Sequence, residues 1–165
     1  MAQAAAGFGG QGFSAKGGGD RFVLPAEMRN AITRASDERV LNVGLHESWP
    51  CLVGFGTDRL ASFDAILDEQ QAEARQNGEG FNRALRKANL WSFKRHLFDA
   101  SGRFVLGPSS VKLGQISDQI YFHGVGDVIT MWNPTVLLGL GDEFAVFKIY
   151  CEQEMEEALG KGRGK

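Results

Sequence analysis

The stretch Gly17-Gly18-Gly19-Asp20-Arg21-Phe22-Val23-Leu24-Pro25 returns later in the chain as Asp99-Ala100-Ser101-Gly102-Arg103-Phe104-Val105-Leu106-Gly107-Pro108. Each copy sets a turn of small residues before an identical Arg-Phe-Val-Leu. Proline follows both times, Pro25 directly and Pro108 after the inserted Gly107. Self-similarity of this kind marks a duplicated supersecondary unit. Four matched residues alone arise by chance, so the flanks decide.

They agree. After Pro25, Met28, Ala31 and Ile32 fall at the i, i+3, i+4 spacing of a buried helical stripe. After Pro108, Ser109 and Ser110 are placed to cap a turn of helix that carries Val111 and ends at Gly114. A hairpin follows in each copy: Val40–Leu45 with Cys51–Phe55, and Ile120–His123 with Val128–Trp132. Their turns, His46–Pro50 and Gly124–Asp127, hold suitable turn residues. Each copy of this βαββ half therefore reads strand, glycine-containing turn, strand, short helix, strand, turn, strand. A half of about 45 residues buries too little apolar surface to stand alone, so the two are expected to interleave into one β-barrel. The expected fold class is α+β, duplicated βαββ halves forming a barrel with peripheral helices. Residues 1–56 would be the first half, with 1–10 flexible, and 92–133 the second. Residues 57–91 would be connecting helices, and 134–165 C-terminal helices with a basic tail.

In the connecting segment, Thr57 or Asp58 caps a helix with Leu60, Phe63, Ile66, Leu67 and Ala74 on one side. After Gly78-Glu79-Gly80, a second helix groups Phe81, Ala84, Leu85 and Ala88, with Arg83, Arg86 and Lys87 pointing away. Asn133-Pro134 starts a helix. A last helix from about Asp142 to Leu159 carries Phe144, Phe147, Cys151, Met155 and Ala158 as its stripe.

Of 165 residues, 43% are hydrophobic and 23% charged, an ordinary globular balance. No apolar run is long enough for a membrane span, and Met1–Gly19 lacks the pattern of a secretory signal. Cys51 and Cys151 read as buried thiols of a reducing cytoplasm rather than a disulfide or zinc site. The net charge of −2 hides segregation: Arg83 to Lys112 carries seven basic residues against Asp99, a local +6, leaving −8 elsewhere. Either one face is basic and suited to a polyanion, or two solvated acidic helices flank a basic segment.

The run Asp99–Leu106, with its partial copy at Gly17–Pro25 and the two intervening helices, resembles the MraZ family of bacterial transcriptional regulators over roughly Phe13 to Leu138. The hallmark is a paired Asp-x-x-x-Arg motif, intact here as Asp99…Arg103. The resemblance implies a double swapped-hairpin barrel related to AbrB, ring-shaped homo-oligomers, and binding to direct repeats in the promoter of the division and cell-wall gene cluster. It also implies that Arg21 is the main DNA contact. Three positions depart from the pattern: Gly17 replaces the motif Asp, Asp20 the motif Gly, and Gly107 the motif Pro.

An arginine at a strand start, just after a tight turn, projects a planar fork from a rigid base. Such a fork contacts a phosphate or grips the O6/N7 edge of guanine. For Arg103 two readings stand: Asp99 holds it for DNA, or the pair merely staples the turn. Lys16, Arg29, Lys94, Arg95 and Lys112 are candidate phosphate contacts, and Gly102 supports the motif turn. Gly10-Gln11-Gly12-Phe13-Ser14-Ala15 fits a loose dinucleotide-binding pattern, yet no strand precedes it and no helix can follow into Gly17–Gly19. His46, His96 and His123 are scattered, and pairs such as Asp68-Glu69 and Glu156-Glu157 read as solvated. The expectation is a non-enzyme without cofactor, metal, small-molecule substrate or membrane contact: a cytoplasmic, nucleoid-associated DNA-binding regulator, most simply a repressor. The competing expectations are a scaffold ring of the same fold with weakened DNA binding, and an AbrB-type antitoxin-like regulator.

Overall fold

A computed structural model describes residues 5–163. In chain order it contains β1 (Gln11–Ala15), β2 (Arg21–Val23), α1 (Ala26–Ser36), β3 (Val40–Leu45) and β4 (Leu52–Phe55). A 3-10 turn (Thr57–Ser62) leads into α2 (Phe63–Gln76) and α3 (Arg83–Leu90). The opening order then recurs as β5 (Lys94–Leu97), β6 (Arg103–Val105), α4 (Pro108–Gly114), β7 (Gln119–Gly124) and β8 (Ile129–Trp132). The chain closes with α5 (Pro134–Leu138), a 3-10 turn (Asp142–Phe144) and α6 (Ala145–Arg163).

Six strands form one antiparallel sheet in the order β1-β7-β8-β4-β3-β5, and β2 with β6 forms a separate ribbon. Each half lends its first strand to the hairpin of the other. Ala15 of β1 lies opposite Gln119 of β7, and Leu97 of β5 opposite Val40 of β3, the equivalent place in the repeat. The hairpins meet where Val53 faces Thr130, and the ribbon crosses where Phe22 faces Phe104. The expected closed barrel is not seen, because β1 and β5 are the two edges of an open sheet. The cause is local. After each first strand the chain doubles back, with the Gly17 and Asp99 N–H groups donating to the Arg21 and Arg103 carbonyls. The left-handed residues Gly19, Asp20 and Gly102 then swing the short β2 and β6 away from the sheet edges.

The ribbon's inner face and the α1 stripe share one core: Phe22, Leu24, Met28, Ile32, Phe104 and Leu106 are all buried in it. Phe22 and Phe104 are 6.2 Å apart between ring centres. A second core seats the last helix on the sheet, with Phe144 and Cys151 among Cys51, Tyr121 and Trp132. The predicted stripe of that helix is thus spent on the protein's own fold. Phe8 is also buried, and its backbone exchanges hydrogen bonds with Gly126 at 2.7 and 2.8 Å. The leader expected to be flexible is therefore pinned at this point, while residues 1–4 lie outside the described residues, as do the tail side chains from 161 onward.

One helix face is reversed from its expected sense. Ala84, Leu85 and Ala88 point to solvent, Leu85 with 58% exposure. Arg83 instead pairs with Asp68 at 2.9 Å, and Arg86 with Glu47 at 2.9 Å. The reason is that α2 buries its own apolar side, Phe63 and Leu67, and offers α3 a polar one. Arg83 and Arg86 also donate to Gln71 and Gln70, both at 2.9 Å. The basic segment is therefore partly neutralised by ion pairs and does not form one continuous cationic face.

Candidate nucleic-acid interface

The alternation of Arg-Phe-Val along a strand puts arginine and valine on one side and phenylalanine on the other. In β2 and β6 the phenylalanines are buried and all four flanking residues are exposed. The antiparallel register sets Arg21 across from Val105 and Val23 across from Arg103. One ribbon face thus carries two arginines at opposite corners and two valines at the others. The valines, 43% and 50% exposed, escaped the sequence reading, although the period-two pattern already placed them beside the arginines.

The two turns that launch these arginines differ in chemistry. Asp99 Oδ1 accepts from the Ser101 and Arg103 N–H groups at 2.9 Å each, and its Oδ2 accepts from Arg103 Nε at 2.7 Å. One carboxylate therefore closes the turn and fixes the guanidinium, so the stapling and orienting roles are a single arrangement. The Arg103 backbone N–H, more than any other group, holds the Asp99 carboxyl below its usual range; desolvation acts the other way, and the Arg103 side chain and the Ser101 N–H add to the lowering. Gly17 has no side chain to do this, and among the described residues Arg21 has no ion pair. Arg21 instead arches over its own turn, its Nε 3.8 Å from where a Cβ on Gly19 would sit.

Gly102 is required twice over. Its φ is +84°, and a Cβ there would fall 2.6 Å from the Leu24 carbonyl oxygen and 2.7 Å from Arg29 Nη1. Arg29 is half-buried and donates to the Leu24 carbonyl at 2.7 Å, while the Leu24 N–H donates to Gly102 at 2.8 Å. The first copy thus clamps the turn of the second. Lys16 is exposed beside the first turn, Lys94 and Arg95 are exposed on edge strand β5, and Lys112 is exposed on α4. His96, buried on β5, accepts from the Gly107 N–H through Nε2 at 3.2 Å. Gly107 stands where the repeat has proline, and the N–H gained by that change finds its acceptor here. Burial lowers the His96 pKa, in keeping with a neutral ring that accepts this bond.

Among the described residues no three His, Cys, Asp or Glu side chains come together as a metal site would require. The thiols are inert by environment: burial pushes Cys151 up to about 12 and Cys51 higher still. Gly10–Ala15, which fits the loose dinucleotide pattern, is largely strand β1. Among the described residues no helix is long and apolar enough to cross a membrane.

Fold and site together define an internally duplicated α+β module whose two halves exchange strands and whose paired arginines share one exposed ribbon. No family model matches the chain. It is similar to the transcriptional regulator MraZ of Rhodospirillum rubrum, with 29% identity over 118 residues, spanning 71% of this chain and 73% of that protein. That similarity points the same way as the resemblance carried by the paired turns.

Proposed function

We propose that this chain is a non-catalytic, sequence-specific DNA-binding transcriptional regulator. It would act as a ring-shaped homo-oligomer, most simply as a cytoplasmic, nucleoid-associated repressor, on direct repeats in the promoter of the division and cell-wall gene cluster. The observation that carries this reading is the joint display of Arg21 and Arg103 on one solvent-facing ribbon. Guanidinium forks on a rigid strand suit guanine edges, while Lys16, Lys94, Arg95 and Lys112 are free to meet phosphates. The exchange of first strands between residues 1–56 and 92–133 supports a swapped-hairpin arrangement akin to AbrB. The outward Ala84, Leu85 and Ala88 supply an apolar surface for self-association. A ring would multiply a weak subunit contact through effective concentration.

The test is a gel shift on the DNA upstream of the protein's own gene, comparing wild type with Arg21→Ala, Arg103→Ala and the double variant. Each single change should weaken binding by between roughly fivefold and a hundredfold, the double change should abolish it, and affinity should fall steeply with salt. A double variant that binds as well as wild type removes these arginines from the interface. The rival scaffold reading draws on Gly17, which leaves Arg21 without a carboxylate partner. It predicts a ring in solution with no DNA affinity even at low salt.

A further inference from the structure

We infer that Val23 and Val105 are specificity-determining contacts of the ribbon, reading the C5-methyl groups of thymines that flank the bases addressed by Arg21 and Arg103. The inference rests on the DNA-binding reading above and extends it to the apolar half of the same face. Both valines stand out to solvent although each sits on a strand whose opposite face is fully buried. Nothing in the described fold covers them, and exposed arginines lie directly across the ribbon from both. Exposed cations at two corners and apolar side chains at the other two fit a polyanion that also presents methyl groups, and the major groove of DNA is such a surface. That groove is wide enough for a two-stranded ribbon, and thymine is the base that carries a methyl there.

The dimensions agree. Residues two apart on a strand are separated by about 6.8 Å, close to two base steps, and directly opposed residues by roughly 5 Å. Arg21 with Val23, and Arg103 with Val105, thus each span about two steps. The ribbon's two-fold about Phe22 and Phe104 runs one pair up one strand and the other pair down its partner. Each half would read guanine through the fork and a nearby thymine through the valine methyls. Asp20 and Asp99 lie in the turns before the strands, and the Asp99 carboxylate meets this face through its ion pair with Arg103 at 2.7 Å.

The experiment measures binding to the promoter fragment upstream of the protein's own gene, prepared with thymidine or with deoxyuridine, which lacks the methyl. Wild type should bind the deoxyuridine fragment roughly three- to tenfold more weakly. The Val23→Ser/Val105→Ser variant should lose affinity for the thymidine fragment and no longer distinguish the two. The Val23→Ile/Val105→Ile variant keeps β-branched apolar side chains and should retain the distinction, which separates a methyl contact from a fold defect. If the serine variant discriminates as strongly as wild type, or wild type binds both fragments equally while still requiring Arg21 and Arg103, the valine assignment is overturned and the arginine reading stands. Wild type that binds neither fragment overturns both.

Discussion

Asp99 and Gly17 occupy the same place in the repeat, and the difference between them sets how firmly each arginine is held. Asp99→Ala should free Arg103 and weaken promoter binding several-fold. It should also lower the melting temperature by a few degrees through loss of the two turn hydrogen bonds to Oδ1, the exposed ion pair itself adding little. The reverse change is also open. A Cβ on Gly17 would meet only the Arg21 carbonyl oxygen at 3.7 Å, an ordinary contact, so Gly17→Asp fits the turn. It should give Arg21 the partner that Arg103 already has and tighten binding in the gel shift on the upstream DNA. A loss of affinity would show that Arg21 needs its freedom. His96 sets a pH dependence. Its folded pKa lies below the ordinary value of about 6.5, so its contribution is present above 6.5 and is lost as pH falls through the folded value. Melting temperature should therefore drop between pH 7 and 5. The drop should be shallower in His96→Gln, whose amide oxygen can accept the Gly107 N–H; His46 and His123, also lowered by burial, keep part of the slope.

Among the elements, α4 shows why a short helix tolerates one residue and not another. A Cβ on Gly114 would lie 2.5 Å from Leu52 Cγ and 2.7 Å from its Cδ1, so the glycine is there for close packing. The left-handed residue that ends the helix is Gln115 instead, at φ 53°. Gly114→Ala should cost about 1–3 kcal/mol in urea unfolding through overpacking against buried Leu52; an unchanged midpoint would show that Leu52 moves aside freely. The strands and most helices were legible in the sequence because their apolar periods match their burial: Val40–Leu45 lies where the pattern puts it, and Met28, Ala31 and Ile32 are buried together. The facing of α3 was not legible. Its apolar residues have the right spacing for a buried stripe, yet the polar side of α2 and Glu47 attract Arg83 and Arg86, a partner choice that only tertiary structure reveals. The arginine pair of the candidate site could be read from the repeat. The role of Arg29 as a clamp on Gly102 could not, because the contact joins residues far apart in the chain.

For the molecule as a whole, the uncovered side of α3 becomes the place to test assembly. Leu85→Lys should leave the melting temperature nearly unchanged, since the side chain is largely in solvent, and reduce the particle size seen by light scattering if α3 joins subunits. A full-sized particle would move the joint elsewhere. The exchange of first strands has a different reach, into how the protein is made. β1 is complete at residue 15, but its partner β7 begins at residue 119. At ordinary ribosomal speeds roughly 5–20 s separate them. Through that interval the nascent chain offers an unmatched strand, and a sister chain growing on the same messenger can offer the matching one. Newborn subunits should therefore need shielding from one another, and slowing translation between the halves should lower the yield of correctly paired protein.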